Sequence, residues 1–242
     1  MAKATFNWSE IDRSALYSLF YSLHKEVVGK ELTPTQLQKY ISKHIKAHLP
    51  VKIKKFYYPK TTKGYIFMGG MYDSDFDKKS KPAIEINFNY NPEDSKIKLS
   101  KYRWSKMAVR FADIVLHEII HMRQFRARNF KPIPGYQSAA ASSRERKEQE
   151  YYGDNDEMGA FSFNIACEMI DMFGYNPGEI GRYMDSNLPK RHKNTWWAKY
   201  LKTFEFNHNH QIIQRMKRKV LRDLENAYNG KPFKTSTHLT YW

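Results

Sequence analysis

Apolar residues recur at helical spacing from the start of the chain. Ile11, Ala15, Leu16, Leu19, Phe20, Leu23 and Val27 share one face of a 3.6-residue repeat. Ser9 stands before them as a cap, and Gly29 after them as a stop. A second helical run, TPTQLQKYISKHIKAHL, opens with Thr33 at the cap and Pro34 in the first turn, and Pro50 ends it. The period then drops towards two. Three strand-like runs follow, VKIKKFYY, GYIFMGGMY and PAIEINFNY, separated by turn-rich or charged stretches. In the third, Ile84, Ile86 and Phe88 alternate with Glu85, Asn87 and Asn89, the mark of a strand with one buried face.

Helical periodicity returns from about Ser105 to Arg128, where NFKPIPG ends it, since two prolines and a glycine cannot continue a helix. Residues 136–150, YQSAAASSRERKEQE, are small, polar and charged, and read as a connection or a solvent-exposed helix. Asp154 or Asp156 then caps EMGAFSFNIACEMIDMF, which Gly174 closes. The remainder reads as helical: a short piece to Met184, another around 190–205 and a long one around 208–228. No internal repeat is present. This pattern predicts an α+β fold. A small mixed or antiparallel sheet of about three strands packs on two helices, one near 105–128 and one from 157, with further C-terminal helices. The expected organisation is one domain over 1–175 and a helical extension over 176–242 packed on it.

The 105–128 helix carries the chemistry. Within FADIVLHEIIHMRQF, His117, Glu118 and His121 interrupt an otherwise apolar run of Val115, Leu116, Ile119, Ile120 and Met122. Residues four apart lie on one helical face, so His117 and His121 point the same way, close enough to share a metal ion. Glu118 sits one position round. It stands beside the ion and can take a proton from a water there. That is the physical content of the H-E-x-x-H spacing: two neutral imidazoles hold Zn2+, and a carboxylate acts as general base. The competing structural explanation is a pair of core histidines satisfied by hydrogen bonds. Asp113, four residues before His117 on the same face, is the candidate to accept a hydrogen bond from that imidazole, and Asn164 is a weaker candidate of the same kind.

A catalytic zinc site needs a third protein ligand. The metzincin pattern requires glycine at position 124 and histidine at 127. Gln124 and Ala127 stand there, which excludes it, and the next histidine, His192, is far along the chain. Carboxylates are nearer, in YYGDNDEMGAF: Glu157 first, with Asp154 and Asp156 as alternatives. Small residues at Gly159 and Ala160 would let this helix approach the histidine-bearing one closely.

H-E-x-x-H followed by a helical glutamate resembles the gluzincin metallopeptidases. The order of helix, strands, H-E-x-x-H helix and glutamate helix is similar to their compact members, the minigluzincins, over about residues 35–175. The detailed match is confined to His117, Glu118, His121 and Glu157. The resemblance implies zinc held by His117, His121 and Glu157, with Glu118 as catalytic base, in peptide hydrolysis with substrate extended along a sheet strand. The strand at 83–90 is the expected wall of that cleft. The chain departs from the pattern at Phe161, where gluzincins often carry aspartate, and at Arg123, where they are usually hydrophobic. A developing oxyanion would need a donor, for which Tyr136, Tyr151, Tyr152, Tyr175, Arg182, Tyr183 and His192 qualify equally. Cys167, beside Ala166, reads as a small core residue.

Charge changes the picture once more. The chain of 242 residues carries a formal net charge of +16, in short basic groups such as Lys52, Lys54 and Lys55, or Arg215, Lys217, Arg218 and Lys219. Such a field attracts nucleic acid or another polyanion without reading its sequence. A basic nucleic-acid-associated or structural protein that keeps a metal only for folding is therefore the alternative to an endopeptidase. Apolar residues make up 41%, a globular composition, and no apolar run is long enough to span a bilayer. A single cysteine and the absence of a secretory leader point to an intracellular, cytoplasmic setting. The small, basic, aromatic-rich character also resembles that of bacteriophage proteins.

Overall fold

The computed structural model describes residues 11–192 and 194–229, so Ser9 lies outside the described residues. Contacts divide the chain into two compact units, one ending at Arg123 and one beginning at Gln124.

The first unit is α+β. Its elements are α1 (Arg13–Tyr21), α2 (His24–Val27), β1 (Glu31–Leu32), α3 (Pro34–His48), β2 (Val51–Tyr57), β3 (Ile66–Tyr72), α4 (Ser74–Lys78), β4 (Ile84–Tyr90), β5 (Ile97–Lys98) and most of α5 (Lys101–Ala127). The side chain of Asp12 caps α1 by accepting from the Ala15 amide. The helical face read from Ile11 to Val27 is split into α1 and α2 by a turn, and Gly29 follows at a φ of +78°, which glycine adopts freely. Thr33 caps α3 with Pro34 in its first turn, as the sequence predicts, and Gln36 completes a reciprocal capping box.

β2, β4 and β3 form a mixed sheet in that order. β2 pairs parallel with β4, and β3 pairs antiparallel with it. β1 and β5 make a separate two-stranded antiparallel pair. The register sorts the sheet into two faces. Val51, Ile53, Ile84, Ile86, Phe88 and Met68 are buried on one. Phe20 of α1 anchors that side, stacked on Trp104 and Phe111 of α5 at 4.6 and 4.8 Å, with Phe88 of β4 at 6.4 Å. This aromatic cluster seats α5 against the sheet.

The strand order corrects one expectation. The strand at 83–90 is central, hydrogen-bonded on both sides, so it has no free edge to offer a peptide. Alternation reveals a buried face but not whether a strand sits at the centre or the edge. β3 is an edge strand.

The second unit is helical: the last turn of α5, α6 (Ser143–Gly153), α7 (Asn155–Phe173), α8 (Pro177–Asp185), a short 3-10 turn (Leu188–Lys190), α9 (Trp196–Thr203) and α10 (Gln211–Tyr228). One core joins Met158, Ile165 and Met169 of α7 with Trp197 and Tyr200 of α9 and Ile213, Met216 and Val220 of α10. Cys167 is fully buried in α7, as a small core residue would be. Gly174 ends α7 at a φ of +60°. The stretch 136–150, left open between connection and helix, is helical from Ser143 onward, and that helix, α6, continues to Gly153, capped by Ser142. No helix among the described residues is long and apolar enough to cross a membrane.

Candidate metal centre

α5 places His117 and His121 one turn apart. Both rings are buried, and their Nε2 atoms lie 3.1 Å apart with the ring planes inclined at 74°. Two nitrogens bound at 2.0–2.1 Å to a tetrahedral ion would be separated by about 3.3 Å, so the pair has the spacing a zinc ion requires. The same distance suits a direct hydrogen bond between two neutral imidazoles, the competing structural use.

Glu118 is buried as well, and β3 explains how it fits. A Cβ built on Gly70 would lie 2.5 Å from Ile114 Cγ2 and 2.6 Å from Glu118 Oε1. Only glycine lets the strand backbone come so close to the helix here. The Gly69–Gly70 pair in a strand-like run is the sequence signal for such an approach. Gly70 thus seats the Glu118 carboxylate beside the edge strand.

Asp113, the residue expected to steady His117, is engaged by Arg13. Arg13 Nε donates to Oδ1 at 2.7 Å and Nη2 to Oδ2 at 3.4 Å, and both side chains are buried. The sequence carries no signal for this pair, whose members stand 100 positions apart. Arg123, the departure at a usually hydrophobic position, is exposed.

In the second unit, the carboxylates of YYGDNDEMGAF fall into distinct roles. Asp154 caps α7, accepting from the Asp156 amide at 2.8 Å and the Glu157 amide at 3.4 Å. Asp156 takes two parallel hydrogen bonds of 2.6 Å from Arg128. Both alternative ligands therefore have structural work. Glu157 is half-buried in the first turn of α7. The last turn of α5 is tied to this same turn, since Gln124 Nε2 donates to the Asp156 carbonyl at 3.0 Å. A Cβ on Gly159 would clash with that Gln124 amide, so the small residue allows the close approach that the sequence suggests. Gln124 is one helical turn beyond His121. The first unit offers the two imidazole nitrogens of His117 and His121, and the second offers the Glu157 carboxylate at the start of α7. Two imidazole nitrogens and a carboxylate oxygen suit zinc.

The candidate oxyanion donors divide by environment. Tyr152 is buried in the helical core, where its carbonyl accepts from the Tyr200 hydroxyl at 2.9 Å. Tyr183 is buried too and stacks on His192. Burial raises its pKa, with a hydrogen bond to Thr195 opposing. Burial first, then the charge of Glu157, keeps Tyr200 protonated well above the ordinary phenol range. Tyr136 packs on Gly153, while Tyr151 and Tyr175 are exposed. Asn164 is buried, and its Oδ1 has no hydrogen-bond partner among the described residues.

Compared with protein-family models, with curated proteins and with solved structures, the chain matches none.

Proposed function

We propose that this chain is a zinc-dependent hydrolase, an endopeptidase of the gluzincin type, acting in the cytoplasm. The observation that carries the reading is the pair of buried imidazoles of His117 and His121, with Nε2 atoms 3.1 Å apart, and the buried carboxylate of Glu118, next to His117 in the chain. His117, His121 and Glu157 would hold the ion. Zinc at such a site lowers the pKa of a water and polarises a carbonyl oxygen. Glu118 accepts a proton from the attacking water as its oxygen bonds to the peptide carbonyl carbon. It then delivers that proton to the amine as the C–N bond breaks. β3, the edge strand against which Gly70 seats Glu118, replaces β4 as the strand that an extended substrate would join.

Glu118→Gln tests the base directly. The amide keeps the size of the side chain but cannot take the proton. The variant should fold and retain zinc while cleavage of a peptide library falls by about 10²–10⁴-fold, the usual share of a general base. Cleavage equal to the parent's would remove Glu118 from the mechanism. A parent that binds zinc yet cleaves nothing would favour a structural metal.

A second reading, nonspecific nucleic-acid binding, is favoured by the outer face of the sheet. There Phe56 and Phe67 flank Asn89, with 43% and 60% of their surfaces exposed, and Lys54 and Asn87 form the next row. Exposed rings suit stacked bases, and the half-exposed Lys54, which also pairs with Glu85, adds a cation beside them. The two functions are compatible in one chain.

A further inference from the structure

A cleft of about 420 Å³ opens in the first unit where β3 and α5 begin. Its apolar lining includes Ile66, Phe67 and Met68 of β3, Leu99, and Met107 of α5. Three cations also line it, Arg103, Lys106 and Arg110, and no acidic side chain is among its lining residues. Their spacing of three and four puts them on one face of α5. Arg103 is held in place by the Gly64 carbonyl at 3.3 Å and by the Tyr65 ring, 4.2 Å from its guanidinium carbon. The aliphatic stems line an apolar space while the charges remain concentrated along one wall. Such a space selects an anion carried on an apolar or extended body, because low polarity strengthens the pairing.

The cleft lies on the line of β3 that leads to Glu118. Gly70 meets Ile114 and Glu118, while Met68 and Ile66, two and four residues earlier, line the cleft. Arg110 precedes Glu118 by eight residues, about 12 Å along the helix. A peptide added to the edge of β3 turns alternate side chains to the α5 side. The residues opposite Met68 and Ile66 would therefore point towards the three cations.

We infer that this cleft is a specificity subsite for an acidic side chain, placed two or four residues from the peptide residue opposite Gly70. The inference rests on the peptide-hydrolase reading and names its substrate class: extended peptides with a carboxylate at a fixed distance from the cleaved bond, on one side only.

The test uses the full chain carrying Glu118→Gln, so that binding is read without turnover. Fluorescein-labelled ten-residue peptides of constant composition and net charge carry one glutamate walked through the positions. Fluorescence anisotropy should show binding about ten-fold tighter at one position, or at two positions spaced by two, than elsewhere. Adding Lys106→Glu, or separately Arg110→Glu, should flatten that profile. Lys106→Met, which keeps the stem and removes the charge, should flatten it as well. A profile flat in the first protein would overturn the inference, as would one that survives all three substitutions. Constant net charge removes the general attraction of a +16 chain from the comparison. The two readings fail separately. Cleavage by the parent with no positional preference would sink the subsite and leave the hydrolase. A clear binding profile with no cleavage by the parent would sink the hydrolase and leave an acidic-peptide binding cleft.

Discussion

Gly70 is the residue on which the local geometry turns. Its missing side chain lets β3 lie against Ile114 and Glu118, with no room for a methyl group. Gly70→Ala should lower stability by about 1–3 kcal/mol through overpacking. It should also displace the Glu118 carboxylate, so peptide cleavage should fall while zinc content holds. Thermal melting, metal analysis and a peptide assay on one preparation check all three. Unchanged melting and activity would show that the approach is looser than described. The other buried ionic residue near the histidines is Asp113, and its bidentate pairing with Arg13 ties α1 to α5 across 100 positions. Truncating Arg13 would leave that carboxylate buried without its partner, a costly state.

At the level of elements, caps and punctuation were readable from the chain. Thr33, Pro34, Asp154 and Gly174 bound their helices where local chemistry says they should, and His117, Glu118 and His121 share a helix because four-residue spacing is a local property. What was not legible is non-local. The alternation in β4 gave a buried face, but its central place depends on β2 and β3 pairing from either side. The tiny β1–β5 pair joins segments more than sixty residues apart and has no period long enough to detect. Glu157 could be named, but its separation from Asp154 and Asp156 needed the structure, which gives one to a helix cap and the other to Arg128. α10 offers a test of its own. His210 caps it through the ring, Nδ1 accepting from the Ile212 amide at 3.2 Å. An accepting nitrogen must be unprotonated. Burial lowers the His210 pKa, with the charge of Glu205 opposing. A depressed pKa means that the folded state favours the neutral ring. The stabilisation is therefore present above the ordinary imidazole value of about 6.5 and is lost as pH falls through the lower folded value. The melting temperature should drop between pH 7.5 and 5, and His210→Asn, which caps without titrating in that range, should flatten the drop. An identical pH profile in the two proteins would remove His210 as the cause.

Over the whole molecule, charge and metal chemistry make separate demands. A net charge of +16 predicts binding to single-stranded DNA or RNA that weakens steeply with salt and hardly depends on sequence. A mobility-shift series from low to physiological ionic strength measures the slope. Phe56→Ala with Phe67→Ala should weaken single-strand binding more than duplex binding, since the exposed rings stack only on free bases. No binding at low salt would reduce the charge to a feature of solubility. The central claim is the ion itself, and metal content tests it most directly. Protein purified without chelator, or reconstituted and dialysed, should carry one equivalent of zinc per chain by elemental analysis. Both His121→Ala and Glu157→Gln should lose it, while Glu118→Gln keeps it. A parent that holds no zinc after reconstitution would contradict the account, and so would a Glu157→Gln variant that holds it as tightly as the parent.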